Sequence, residues 1–100
     1  NMTVEFSQYT IILTYNGGTV SHNANSDTTG SDLKAVAARA FGLNAGTIDV
    51  KLGVQAIGDD QALVSYADWL NPGAANTVLV EQQVQQEPEE EEEEVEEPQW

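Results

Sequence analysis

Residues 9–18 restrict the possible fold more than any other part of the chain. Positions 9–15 read Y-T-I-I-L-T-Y, and β-branched and aromatic residues of this kind suit a half-buried strand. The N-G-G run at 16–18 readily adopts the positive φ angles of a tight hairpin turn. Residues 19–25 then alternate weakly apolar and polar side chains. The sequence therefore predicts a β-hairpin whose second arm is an edge strand.

An amphipathic helix is predicted over residues 32–41. Turn-forming residues fill positions 26–31, Ser31 is a suitable N-cap, and Asp32 places a negative charge in the first turn. Gly42 follows as a C-cap. Apolar residues recur at the i, i+3, i+4 spacing of one helix face, namely Leu33, Val36, Ala37, Ala40 and Phe41. The helix has to bury this stripe, and the sheet is the partner available to it.

The second half of the chain predicts three further strands and a helical turn. Residues 47–52 alternate apolar and charged side chains, as a half-buried strand does. Residues 54–57 predict a short strand, and the G-D-D run at 58–60 predicts a turn. Leu63, Tyr66 and Trp69 recur at a spacing of three, which indicates a short helical turn over 63–70. The N-P-G run at 71–73 ends it, and residues 77–80 form the last strand.

This order of elements resembles the ubiquitin-like β-grasp family over roughly residues 9–81. The S-D-T run at 26–28 is similar to the lead into that family's helix, and L-V-S-Y at 63–66 is similar to a Leu-Ser-Asp-Tyr segment of ubiquitin. Val50, Ile57 and Leu63 match three buried aliphatic positions. The resemblance implies an α+β fold with one α-helix packed across a mixed sheet of four to five strands, formed by residues 1–81.

Two departures from the family pattern change the function that the resemblance implies. Conjugation and sulfur transfer in this family need a carboxy-terminal Gly-Gly, whereas this sequence ends E-P-Q-W. The family's recognition patch centres on an exposed aliphatic residue of the third strand, and the matching position here is Lys51. We therefore expect neither a protein modifier nor a sulfur carrier, and we do not transfer the patch.

Residues 82–100 form a glutamate-rich segment that is predicted to be disordered. The chain contains 17 Asp and Glu against three Lys and Arg, which gives a net charge of -14. Ten of the acidic residues lie between positions 81 and 100, whereas residues 1–80 carry seven acids and three bases, a net charge of -4. Like charges extend such a segment, and it has too little apolar surface to offset its ordering entropy.

The composition argues against catalysis and against cofactor or metal binding. No cysteine is present, and His22 is the single histidine. Asp59 and Asp60 are adjacent, yet such a pair after glycine is typical of a turn. The glycines at 17–18 lack the lysine and the helix of a phosphate-binding loop. No apolar run is long enough for a membrane helix, and no signal peptide is recognisable, so we expect a soluble cytoplasmic protein without a membrane partner.

The leading hypothesis is a non-catalytic protein-interaction module or adaptor whose acidic segment docks on a Lys/Arg-rich surface of a partner protein. The candidate partner-binding residues are Glu89, Glu90, Glu91, Glu92, Glu93, Glu94, Glu96, Glu97 and Trp100. Two alternatives stay open: a nucleic-acid mimic that inhibits or regulates a nucleic-acid-binding protein, and an accessory subunit of a multicomponent enzyme. Direct nucleic-acid binding is not expected from so acidic a chain. The sequence leaves the oligomeric state open, and residues 19–25 could add a strand to a partner's sheet.

Overall fold

The predicted hairpin supplies the first two strands of the described sheet. The computed structural model describes residues 8–83, and its first two strands are β1 (Gln8–Tyr15) and β2 (Gly18–Asn25). They pair antiparallel in an unbroken register along their whole length. Asn16 (φ 51°) and Gly17 (φ 87°) form the turn between them. Positive φ at both turn residues defines a type I′ turn, whose twist matches that of the strands. The hairpin prediction is therefore confirmed.

The helix α1 spans Gly30–Phe41 and begins two residues before the predicted start. Its N-cap is Thr29, so the prediction of Ser31 as the cap is wrong. The Thr29 hydroxyl accepts from the backbone N–H of Asp32 at 3.1 Å, and the Asp32 carboxylate accepts from the backbone N–H of Thr29 at 3.0 Å. This reciprocal capping box satisfies two amide donors at once, which a cap at Ser31 would not do. Gly42 (φ 70°) ends the helix as predicted.

The buried stripe of α1 is narrower than the sequence predicts. Leu33 and Ala37 are buried, and Val36 and Phe41 are partly buried against the core. Ala40 is exposed, so its predicted place in the core is wrong. The last turn of α1 contacts the hairpin through Phe41 instead, whose ring centroid lies 5.6 Å from that of Tyr15.

The remaining strands follow in the predicted order, but a 3₁₀ helix over 45–47 was not predicted, and the short strand covers only 55–56 instead of 54–57 because Val54 lies in a turn. A 3₁₀ helix (Ala45–Thr47) leads into β3 (Ile48–Leu52), β4 is the two-residue strand Gln55–Ala56, a second 3₁₀ helix covers Leu63–Trp69, and β5 is Ala75–Gln82. The last strand is longer at both ends than the predicted 77–80. Its first residues pair with β1, and its last residues pair with β3. Pairing with a strand on each side therefore sets its length.

The five strands form one mixed sheet in the order β2-β1-β5-β3-β4. β1 and β5 run parallel at its centre, and the other neighbouring strands run antiparallel. α1 packs on one face of this sheet, so residues 8–83 have an α+β architecture. The opposite face, which we call the open face, carries no helix of the described part. β2 lies at one edge, as predicted for the second arm of the hairpin.

The core lies between α1 and the sheet. Alternate residues of β1, β3 and β5 point into it, and loop residues close its ends. Its fully buried large side chains are Ile11, Leu13, Leu33, Ile48, Val50, Leu63 and Val78. Burying each such side chain contributes roughly 1.5–3 kcal/mol relative to leaving it exposed. Packing of this kind holds together a chain that contains no cysteine.

Two polar side chains fix the segment between β4 and β5. Asn76 is buried in β5; its amide nitrogen donates to the carbonyls of Asn71 (3.2 Å) and Ala74 (3.0 Å), and its amide oxygen accepts from the N–H of Asn71 at 2.7 Å. The hydroxyl of Tyr66 accepts from the N–H of Gly58 at 3.1 Å. These bonds give partly buried backbone groups outside the strands hydrogen-bond partners.

Candidate protein-interaction surfaces

The predicted partner-binding residues, Glu89 to Glu94, Glu96, Glu97 and Trp100, lie outside the described residues. Disorder was predicted from residue 82 onward, but Gln82 is the last residue of β5 and Gln83 is hydrogen-bonded beside the start of β3, so the prediction is wrong for these two residues. The rest of the predicted segment, residues 84–100, lies outside the described residues as well. The last described residue, Gln83, is bonded to the segment that leads into β3. Beyond β5, the N–H of Gln83 donates to the carbonyl of Thr47 at 2.8 Å, and its side-chain amide donates to the carboxylate of Asp49 at 3.2 Å. The acidic segment therefore continues from a point beside the start of β3.

Two of the three basic side chains already have acidic partners within residues 8–83. The ammonium group of Lys34 lies 2.7 Å from the carboxylate of Asp59 and 3.8 Å from that of Asp49. Lys51 lies 2.9 Å from the carboxylate of Glu81. Arg39 is exposed in the last turn of α1, and no ion pair is found for it in the described part of the chain. The cationic charge of the body is thus largely engaged.

The adjacent pair Asp59 and Asp60 lies in a turn, as predicted. Asp59 pairs with Lys34, and its carbonyl accepts from the N–H of Ser31 at 3.1 Å. The N–H of Gln61 closes the turn on the carbonyl of Gly58 at 3.1 Å. Between residues 8 and 83, no group of three or more His, Asp and Glu side chains is arranged to hold a metal ion. Asp59 thus connects the loop after β4 to α1.

The open face presents hydroxyl and amide groups around two aliphatic side chains. Rows of neighbouring residues cross it from β2 to β5, namely Thr19-Thr14-Leu79, Ser21-Ile12-Thr77 and Asn23-Thr10-Ala75. Lys51 of β3 neighbours Leu79 in the first row and forms its ion pair with Glu81 on the same face. The position that the family resemblance assigns to an exposed aliphatic residue is therefore occupied by a paired lysine.

The edge of β2 presents free backbone groups. In a two-residue hairpin the pair next to the turn, here Tyr15 and Gly18, exchanges hydrogen bonds, and every second pair after it does the same. The N–H and C=O groups of Thr19, Ser21, Asn23 and Asn25 therefore point away from β1. Those of Asn25 are bonded to Thr28, each at 3.1 Å. Within residues 8–83, no hydrogen bond is found for the outward backbone groups of the other three residues, which form the free edge.

His22 lies on β2 opposite Ile11, on the sheet face that α1 covers, and is half-buried. Its strand neighbours Ser21 and Asn23 lie on the open face. The observed position therefore matches the predicted alternation of β2, in which Val20, His22 and Ala24 share one face.

An exposed apolar contact beside the β3–β4 turn was not predicted from the sequence. Trp69 is 50% exposed, and its ring lies 3.5 Å from the position that a side-chain carbon would occupy at Gly53. Val54, the next residue, is 89% exposed.

No helix within residues 8–83 combines the length and the apolar character needed to cross a membrane. Comparison with known proteins assigns no family, since no protein-family model matches the chain. No curated protein is similar enough to be recognised as a relative either.

Proposed function

We propose that the chain is a non-catalytic protein-interaction module in which a ubiquitin-like β-grasp body carries a glutamate-rich segment that docks on a Lys/Arg-rich surface of a partner protein. The charge distribution of the chain is the observation that carries this proposal. Residues 84–100 contain nine glutamates, which are the ten acids of positions 81–100 less Glu81. Arg39 is the one base of the described body without an ion pair in that part of the chain.

Arg39 alone therefore cannot neutralise the nine glutamates of residues 84–100. Lys34 and Lys51 would have to leave acidic partners at 2.7 Å and 2.9 Å to serve the segment, which would expose other carboxylates. A partner rich in Lys and Arg supplies the missing positive charge without that exchange. Like-signed clusters of this kind steer association and make it sensitive to salt, because the Debye length falls from about 10 Å at 0.1 M to about 3 Å at 1 M salt.

The topology of the body supports its assignment as a β-grasp domain. The first and last strands run parallel at the centre of the sheet, the helix that follows the hairpin packs across it, and a short strand forms the second edge. The same segments carry the sequence resemblance. The ion pair of Lys51 on the open face favours binding through the acidic segment over binding through the family's aliphatic patch.

The test compares two variants of the full chain that lose the same charge in different places. In one, Glu89, Glu90 and Glu91 are changed to glutamine. In the matched control, three exposed acids without ion pairs in the body, Asp27, Asp60 and Asp68, are changed to asparagine. Each tagged variant is used to capture partners from the source cell at low and at high salt. Quantitative mass spectrometry measures the partners retained.

We expect a lysine- and arginine-rich partner that is depleted by the glutamine variant, retained by the asparagine variant and released at high salt. Trp100→Ala in the same assay measures whether the terminal aromatic adds to binding. Equal capture by both charge variants would contradict docking through the segment. If DNA or RNA competes with this chain for the same surface of the captured partner, the nucleic-acid-mimic alternative is favoured over a simple adaptor.

A further inference from the structure

We propose that two copies of this chain pair through their β2 edges in an antiparallel arrangement, with Ser21 on the twofold axis, to form one continuous ten-stranded sheet. This inference goes beyond the proposed function and does not depend on it. It rests on the free backbone groups of β2, on the composition of that strand and on the places where β5 ends.

The free edge of β2 lacks the features with which edge strands usually avoid pairing. Natural edges are shortened, bulged, charged, interrupted by proline or covered. β4, at the opposite edge of the sheet, is only two residues long. β2 has eight residues, none of them charged and none proline, and its register with β1 has no bulge. The long edge is therefore open, whereas the short one is protected by its length.

The free groups of β2 are complementary to those of a second copy. Thr19, Ser21 and Asn23 each present an outward N–H and C=O, and the bonds of Asn25 with Thr28 end this row at one side. An antiparallel pair centred on Ser21 sets Thr19 opposite Asn23 of the second copy. Each of the three facing pairs then exchanges two hydrogen bonds, so every free group of both edges is satisfied. No two charged side chains face each other.

The β2 residues on the face covered by α1 also pair suitably with those of the second copy. Val20 and His22 lie on the face covered by α1, and both are half-buried. In the proposed register Val20 faces His22 of the second copy in pairs that are not hydrogen-bonded, in which side chains approach most closely. The twofold axis runs perpendicular to the sheet, so both helices lie on one face of it.

Charge repulsion selects this arrangement over a parallel one. The acidic segment continues from the end of β5, which lies at the same end of the sheet as the β1–β2 turn because β5 runs parallel to β1. In either orientation the two β5 ends lie five strand spacings apart across the sheet, about 24 Å. Antiparallel pairing adds a separation along the strands, because Gln82 lies five residues beyond Thr77, the β5 residue in the same row as Ser21, so the two ends also lie about 33 Å apart in that direction. Parallel pairing would bring both segments to the same end, with only the lateral separation between them.

Cysteine cross-linking of the full chain tests the register, because the native sequence contains no cysteine. In an antiparallel hydrogen-bonded pair the two Cα atoms lie about 5.5 Å apart, within the range of a disulfide. Ser21→Cys is therefore expected to form a disulfide-linked dimer on mild oxidation. Thr19→Cys is the matched control, since its counterpart lies four residues away along the paired strands, about 13 Å. Mixing Thr19→Cys with Asn23→Cys should restore cross-linking.

Sedimentation velocity over about 10 μM to 1 mM protein measures the association itself, in the range expected for a small interface. Ser21→Lys puts two like charges on the twofold axis and should raise the dissociation constant about tenfold or more. Thr77→Lys adds the same charge at an exposed central position of the same face and should leave association unchanged. Added salt should strengthen the dimer by screening its net charge, whereas it should weaken the proposed docking of the acidic segment.

Three results would overturn the proposal. The first is a chain that stays monomeric at about 1 mM in added salt, a concentration at which even a weak interface is populated. The second is equal cross-linking of Thr19→Cys and Ser21→Cys, which indicates random collision or a parallel pair. The third is equal weakening by Ser21→Lys and Thr77→Lys, which indicates association through the open face. Circular dichroism of each variant confirms that loss of pairing is not loss of fold.

Discussion

Replacing Gly30 with alanine tests the close contact between the first turn of α1 and the loop after β4. A side-chain carbon at position 30 would overlap the carbonyl oxygen of Gly58 and would lie 2.7 Å from that of Ile57. Both obstacles are backbone atoms, so no side-chain rotation removes the overlap. Carbon atoms pack at about 3.5–4 Å from non-bonded neighbours, and the loop would have to retreat by roughly 1 Å.

The magnitude follows from what holds that loop in place. The N–H of Gly30 donates to the carbonyl of Gln61 at 3.2 Å, that of Ser31 donates to the carbonyl of Asp59 at 3.1 Å, and Lys34 is ion-paired with Asp59. Overpacking costs about 1–3 kcal/mol, and stretching such hydrogen bonds costs about 1 kcal/mol more. The better helix propensity of alanine offsets about 1 kcal/mol. We expect a net destabilisation of about 2 kcal/mol.

Urea unfolding of the full chain, followed by circular dichroism, measures this change. Gly46→Ala is the matched control, because a side-chain carbon there meets only the amide oxygen of Asn44, at 3.3 Å, and no backbone atom. We expect that control to change the free energy of unfolding by less than about 0.5 kcal/mol, the usual range for surface substitutions. If Gly30→Ala were as stable as the native chain, the close contact between α1 and the loop would be refuted.

Two further predictions concern groups that hold the body together. Thr29→Ala should lower the free energy of unfolding by about 1 kcal/mol by removing the observed N-cap, and Ser31→Ala should leave it nearly unchanged; the reverse order in urea unfolding would contradict the capping box. Asn76→Ala should lower the free energy of unfolding by about 2–3 kcal/mol, because it leaves partly buried backbone groups without partners. Asn76→Asp should lower it further, because it places a negative charge against carbonyl oxygens. A smaller loss for Asn76→Asp than for Asn76→Ala would contradict that network.

The two proposals predict opposite responses to salt, and this makes them separable in one preparation of protein. Docking of the acidic segment weakens as salt rises, and pairing of the β2 edges strengthens. If both hold, the dimer presents two acidic segments at opposite ends of one sheet. A partner with repeated basic sites would then gain avidity from simultaneous engagement.

Local patterns predicted the elements well wherever neighbours in the sequence decide the structure. The hairpin followed from β-branched residues and from Asn16 and Gly17, since a two-residue turn with positive φ angles is a local event. The end of α1 at Gly42 followed for the same reason. The start of α1 was mispredicted although it is local too: Thr29 and Ser31 are both acceptable caps, and the capping box of Thr29 with Asp32, which distinguishes them, is a pattern that the sequence already contains.

Contacts between distant segments could not be predicted in this way. Asn76 appears in the sequence as one polar residue before a β-branched run, and its buried role depends on the loop that surrounds it. Ala40 fits the apolar period of the helix, yet it is exposed because the last turn contacts the hairpin through Phe41. The exposed contact of Trp69 with Gly53 joins the end of the second 3₁₀ helix to the β3–β4 turn, which lies well before it along the chain.

The sequence by itself determined the α+β composition of the body, the edge character of β2 and the concentration of negative charge after residue 81, because periodicity, turn chemistry and formal charge are local or additive properties. Tertiary structure alone decided which basic residues are already paired and which backbone groups of β2 stay free. The first depends on strand order and register, which bring Lys51 to Glu81, and the second depends on strand order, which leaves β1 as the one neighbour of β2 among the described strands. Hydrogen bonding and ion pairing act over a few ångströms, so they are fixed only when the whole sheet is assembled.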